Sequence, residues 1–167
     1  MAISMYSALV PPLMHSLQAL SAILGKAQAH CEARKIDPAV LLNARLYPDM
    51  FALTRQVQIA CDTAKGAASR LAGADIPSHP DTETSFAELQ ARIQKTIDHL
   101  ANFKPEQIDG SEGRAVVLKF PNSTLEFTGQ QYLSGFVLPN FYFHVTTAYG
   151  LLRHSGVELG KRDYLGG

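Results

Sequence analysis

Apolar positions recur at helical spacing through most of the chain. Between Tyr6 and Ala33 the stripe Leu9, Leu13, Leu17, Leu20 and Leu24 follows a 3.6-residue period and predicts a first long helix. Pro11 and Pro12 fit its first turn or a local kink, because a mid-helix proline loses a hydrogen bond and clashes with the preceding turn. Asp37-Pro38 reads as an N-cap followed by proline at the first helical position, and predicts a short helical piece through Leu42. A second long helix is expected from Pro48 to Leu71 on the stripe Met50, Leu53, Val57, Ala60, Ala64 and Ala67, with Gly73 ending it. The segment 74–82, with Pro77 and Pro80, reads as a loop. Ser85-Phe86-Ala87-Glu88 fits a capping box, in which serine and glutamate each satisfy an orphan backbone N–H. It opens a third helix whose apolar face is Phe86, Leu89, Ile93, Ile97 and Leu100, stopping before Pro105.

The pattern then changes. Residues 114–120 are rich in β-branched and aromatic side chains, Pro121-Asn122-Ser123 is turn chemistry, and residues 124–128 alternate. This predicts a small β-hairpin. A fourth helix is expected from Gln130 to His154, interrupted near Pro139 and closed by Gly156. The tail 160–166 carries Tyr164 and Leu165 among charges, which suits docking back onto the protein or covering a pocket mouth. Long helices joined by turns, with one hairpin before the last, predict one all-α domain over residues 1–167, a four-helix bundle with a small β insertion.

Composition narrows the function classes. Fifteen basic residues balance fifteen acidic ones among 167, which argues against nucleic acid or an anionic membrane as partner. The N-terminus lacks a basic region followed by a long apolar run, so a signal peptide is not expected. No uninterrupted apolar run approaches the roughly 20 residues of a bilayer span. Cys31 and Cys61 have no metal-like or CxxC spacing and read as small core residues of a reducing compartment, so a cytoplasmic location is expected. Nucleotide-binding glycine loops, GxSxG, HExxH and paired-cysteine zinc patterns are all missing.

Several segments together resemble a known family: Arg45-Leu-Tyr-Pro-Asp-Met50, Gln56-Val57, Arg70-Leu-Ala-Gly73, Pro139-Asn-Phe-Tyr-Phe-His144, Ala148-Tyr149, Leu152-Arg-His154 and Gly160-Lys-Arg-Asp-Tyr-Leu165. Over nearly the whole chain the sequence resembles the domain of unknown function DUF1993, grouped with the DinB/YfiT-like putative metalloenzymes. The resemblance implies a DinB-like four-helix bundle. It also implies a divalent-metal site made by one histidine of the second helix and a His-x-x-x-His pair on the last, where residues four apart share a face. His144 matches the first histidine of that pair. Ala148 stands where the second is expected, and the second helix contains no histidine; its early ligand-type side chain is Asp49.

His144 shares the face of Phe141, Val145, Ala148 and Leu152 and should point inward, either as a core imidazole with a hydrogen-bond partner or as a ligand or acid/base group. Asp49 fits the first helical turn, where the dipole favours negative charge, or a position beside His144. Gln56, seven residues on, either extends a polar seam or marks the helix boundary. Tyr149 is a further candidate ligand-binding residue. Arg45 suits capping or pairing with Asp49, and His154 suits a helix C-terminus. His15 lies off the main stripe, on a flank or against a second subunit. Three readings follow: a small-molecule-binding or enzymatic bundle with a degenerate site at His144 and Asp49, able at most to hold a divalent metal weakly with water completing the shell; a non-catalytic domain whose polar interior fixes helix register; and an interaction protein, a homodimer, using a bundle face.

Overall fold

The computed structural model describes residues 3–167. Its elements run α1 (Met5–Arg34), α2 (Pro38–Leu42), α3 (Leu53–Ala72), α4 (Phe86–Ala101), α5 (Pro105–Ile108), β1 (Ala115–Phe120), β2 (Ser123–Thr128), α6 (Gly129–Gln131), a π-helical segment (Tyr132–Val137), α7 (Leu138–His154) and α8 (Lys161–Leu165). The chain is mostly helical, and the one sheet among the described residues is the antiparallel pair β1–β2. Four long helices supply the core. α3 packs against α7 and α4, and α1 packs against α4 and α7.

Local chemistry explains most element boundaries. Ser85 and Glu88 form the expected capping box, with Glu88 N donating to Ser85 Oγ and Ser85 N to Glu88 Oε2. The Asp37 carboxylate caps α2 through Ala39 N, at 2.9 Å. Gly73 adopts φ 68° at the end of α3, in the left-handed region that glycine enters without steric cost.

Two proline expectations need correction. α1 starts at Met5, capped by Ser4, so Pro11 and Pro12 lie inside the helix beyond its first turn. Pro11 cannot donate to Ser7 O; both residues are exposed, so water can reach the stranded carbonyl. α3 starts at Leu53 and not at Pro48. Residues 45–52 instead make a turn, closed by Met50 N donating to Tyr47 O and Leu53 N donating to Ala44 O. Arg45 caps this turn through Pro48 O.

α1 also departs from the hydropathy expectation. An 18-residue window of it averages a hydropathy of 1.3, enough by length and composition for a membrane-crossing helix. In this fold Leu9, Leu13, Leu17, Leu20 and Leu24 of that helix are fully buried in the core.

The hairpin aligns Leu118 with Leu125 and Val116 with Phe127. Val116 and Leu118 are buried, so this face of β1 turns toward the helices while Val117 and Lys119 turn outward. Gly129 joins the hairpin to α6, and a Cβ there would meet Ser111 O at 2.0 Å, so only glycine permits the backbone approach. The interruption expected at Pro139 is a stretch of π-helix before it. Leu138 N–H reaches back five residues to Leu133 O, and the widened turns accommodate a proline that cannot donate.

Candidate functional site

The antiparallel interface of α3 and the α7 rod carries three polar rungs. Gln56, Thr63 and Arg70 are spaced seven apart, two helical turns each, and so share one face of α3. The His144 imidazole pairs with Gln56 Oε1 at 2.6 Å, Asn140 Nδ2 donates to Thr63 Oγ1 at 2.8 Å, and Arg70 Nη1 donates to Tyr132 Oη at 3.2 Å. A polar seam through Gln56 was legible from the sequence; its two further rungs were not.

The first rung is tightly defined. Gln56 Nε2 donates to Phe51 O at 3.0 Å, which turns Oε1 toward the imidazole. His144 Nδ1 therefore carries the hydrogen and donates, the neutral tautomer assigned from this network. Burial, with the Arg55 charge adding to it, holds the His144 pKa below its ordinary value, consistent with a neutral ring. His144 and Gln56 are both buried, and Phe143 packs edge-on against the imidazole at 5.2 Å.

The other expected site residues fall elsewhere. Asp49 is exposed on the 45–52 turn, outside the helix whose first turn it was expected to occupy, and the recorded partner of the imidazole is Gln56. Tyr149 is half-buried and packs edge-on against Tyr164 at 5.8 Å. It meets the docked tail, as does His15. Tyr164 and Thr146 share a hydroxyl hydrogen bond at 2.9 Å, and His15 Nε2 lies 2.7 Å from Leu165 O. Asp163 pairs with Lys26.

The implied metal site does not fit these residues. Ala148 presents a methyl group where a second imidazole would stand, and α3 carries no histidine, so His144 has no imidazole partner on either helix. Among the described residues no three His, Cys, Asp or Glu side chains converge as a metal-binding group.

A cleft opens beside the second and third rungs. It encloses about 260 Å³ between α3, the inner face of the hairpin and the π-helical segment. Ile59, Leu118, Phe120 and Phe136 supply apolar walls, while Asp62, Thr63, Asn140, Arg70, Lys119 and Tyr132 supply polar groups. Tyr132 is almost fully buried. Burial raises its phenol pKa, against the lowering influence of Arg70, so the hydroxyl keeps its proton. Arg70 folds back along its own helix over Gly66, where a Cβ would lie 2.4 Å from Nη1.

Behind this cleft lies a charged cluster that sequence reasoning missed. The Arg92 side chain is 2% exposed and binds Asp62 at 3.0 Å, Asp81 at 2.9 Å and Glu83 at 3.0 Å. Lys65 also pairs with Asp62 at 2.9 Å, and Arg55 pairs with Asp81. Gln58 Nε2 donates to Glu83 at 2.9 Å. Burial works against the Glu83 carboxylate, but the hydrogen bonds from Arg92 and Gln58 outweigh it and lower the pKa. The available signal was Arg92 itself, a cation between Leu89 and Ile93 on the apolar stripe of α4.

Residues 5–165 match the family described as "Domain of unknown function (DUF1993)". The chain belongs to the DUF1993 family. The crystal structure of a DinB family member protein from Shewanella denitrificans is 44% identical to it, with a TM-score of 0.87 over 97% of this chain and 92% of that one. No curated protein matches the sequence. The DUF1993 chain thus shares its fold with a DinB family member.

Proposed function

We propose that this DUF1993 chain is a DinB-like four-helix bundle that binds a small organic molecule in the cleft beneath the hairpin. The observation that carries the reading is the cleft's lining: Arg70, Tyr132 and Asn140 converge on a concave space walled by Ile59, Leu118, Phe120 and Phe136. Convergent polar groups beside an apolar wall characterise ligand sites, and a volume of about 260 Å³ suits a small ligand. The His144–Gln56 pair is structural in this reading, because both side chains are buried and His144 Nδ1 is held by the Gln56 amide oxygen. The test is a fragment screen on the full chain by amide chemical shifts, with elemental analysis of protein purified without added metal. Saturable shifts confined to residues 59–70, 118–120 and 132–140 support the reading. A stoichiometric transition metal bound through His144 refutes it.

A second reading, self-association as a homodimer, is favoured by one observation. Leu46, Tyr47 and Phe51 of the 45–52 turn and Phe143 of α7 are large apolar side chains left at least half exposed. Phe51 O and the Phe143 ring both meet the Gln56–His144 rung, which places them at the same end of the fold. Light scattering at tens of micromolar tests it: a dimer that Phe143→Ser or Tyr47→Ser converts to monomer supports this reading, and a monomeric mass for the wild-type chain refutes it.

A further inference from the structure

We infer that the cleft beneath the hairpin selects a small carboxylate with an apolar or aromatic body, Arg70 and Tyr132 holding the carboxylate. The inference rests on the small-molecule reading of that cleft and names its ligand class.

Arg70 Nη1 donates to Tyr132 Oη, so the phenol oxygen is an acceptor there and its own hydrogen points to another partner. No acceptor for that hydrogen, and no carboxylate paired with Arg70, is found among the described residues. The contrast with Arg92, a helix away, is direct: that guanidinium has three carboxylates, whereas Arg70 has none. A guanidinium edge beside a phenolic O–H matches an incoming carboxylate, which accepts from both in charge-assisted hydrogen bonds. A neutral amide would forfeit the charge and meet donors with its own N–H group.

The backbone is shaped for this arrangement. Gly66 lies one turn before Arg70 on the cleft-facing side of α3, and its missing side chain is the space the guanidinium occupies. Glycine inside a helix is unfavourable relative to alanine, so its presence at a buried position with no positive φ needs a packing reason. The room for Arg70 is that reason. The body of the ligand then lies against Ile59, Leu118, Phe120 and Phe136. At the far end the acceptors are the Asn140 amide oxygen and Asp62 Oδ2, because Asn140 donates its own nitrogen to Thr63 and the ion pairs of Asp62 run through Oδ1. The far end therefore prefers a hydrogen-bond donor on the ligand, such as an amino or hydroxyl substituent.

The experiment compares benzoate, 4-aminobenzoate and the neutral isostere benzamide on the full chain, following amide chemical shifts at constant ionic strength. Benzoate and 4-aminobenzoate should shift the amides of residues 59–70, 118–120 and 132–140 saturably, at least tenfold more tightly than benzamide. Arg70→Gln and Gly66→Ala should each weaken the carboxylates at least tenfold while the fold stays intact by circular dichroism. Gly66→Ala is the sharper variant, since it favours the helix and removes only the space. Benzamide binding as tightly as benzoate, or benzoate binding unchanged in both variants, overturns the carboxylate assignment and leaves the cleft as a small-molecule site. Failure of every probe, and of a wider neutral fragment set, to move any cleft amide overturns both.

Discussion

Arg92→Met isolates the energetic weight of the buried charge cluster, because methionine keeps much of the aliphatic stem and removes the guanidinium. The three carboxylates do not contribute equally. Asp62 and Asp81 are 37% and 40% exposed and keep Lys65 and Arg55 as partners, so their share is that of surface pairs, about 0–1 kcal/mol each. Glu83 is 11% exposed and, of its side-chain partners, would retain the Gln58 amide and no cation. Stranding a buried carboxylate by removing its partner costs about 3–5 kcal/mol. The expected loss is therefore about 3–7 kcal/mol, dominated by Glu83 and large against a typical total of about 5–15 kcal/mol. Urea unfolding followed by circular dichroism measures it, with Glu83→Gln and the double variant closing a cycle. The double variant should be more stable than the sum of the singles predicts by at least about 1 kcal/mol, since it leaves no unpaired charge. The sign with pH is also fixed. Glu83 has a lowered folded-state pKa, so its contribution is present above the ordinary carboxylate range and is lost as pH falls through the lowered value. The acid limb of the wild-type stability curve should flatten in Arg92→Met. A loss under about 0.5 kcal/mol, or strict additivity in the cycle, would refute the reasoning.

His144→Ala should cost about 2–3 kcal/mol in thermal or urea unfolding, because it strands the buried Gln56 amide oxygen and opens a small cavity, while leaving ligand shifts at the hairpin cleft unchanged. His79 has its pKa lowered to about 4 by burial and by Lys65, Lys95 and Arg92. The unfolded chain therefore binds more protons between about pH 6.5 and 4, stability should fall as pH drops through that window, and His79→Gln should reduce the slope. An NMR titration of the His79 ring with a midpoint near 6.5 would contradict this. Gly73→Ala forces a side chain into φ 68° against Arg114 and should lower stability by about 1–2 kcal/mol, read as a drop in Tm.

Much of the fold was legible because it is written in local chemistry. The Ser85 capping box, Asp37-Pro38, Gly73 and the turn residues after Phe120 each act within a few positions of themselves. The start of α3 was misplaced for the same reason in reverse. Proline is favoured at a helix's first position, but Pro48 instead serves a turn closed by Ala44 O and Leu53 N, a contact nine residues apart. At the site, periodicity correctly turned His144 inward and brought Gln56 into question. It could not choose the imidazole's partner, because Asp49 left the helix. The Arg70–Tyr132 and Arg92–Glu83 pairs join residues 62 and 9 positions apart, and neither separation has a sequence signature. The length of Pro139's interruption was equally hidden, since a π-helix differs from an α-helix only in which carbonyl each N–H finds.

That π-helical segment has a consequence for how this family can vary. From Thr63 to Arg70 on α3 is seven residues, yet their partners Asn140 and Tyr132 are eight apart. The extra residue is absorbed where the helix widens. Winding the same eight residues as an ordinary α-helix would rotate Tyr132 by roughly 100° relative to Asn140. Every side chain would keep its chemistry, but the phenol would swing off the cleft and Arg70 would lose its companion. The binding end of the molecule is thus tuned by how the helix winds as much as by residue identity. A relative that has one residue fewer in this stretch would reach the same pairing through an unbroken α-helix, since seven residues then face seven.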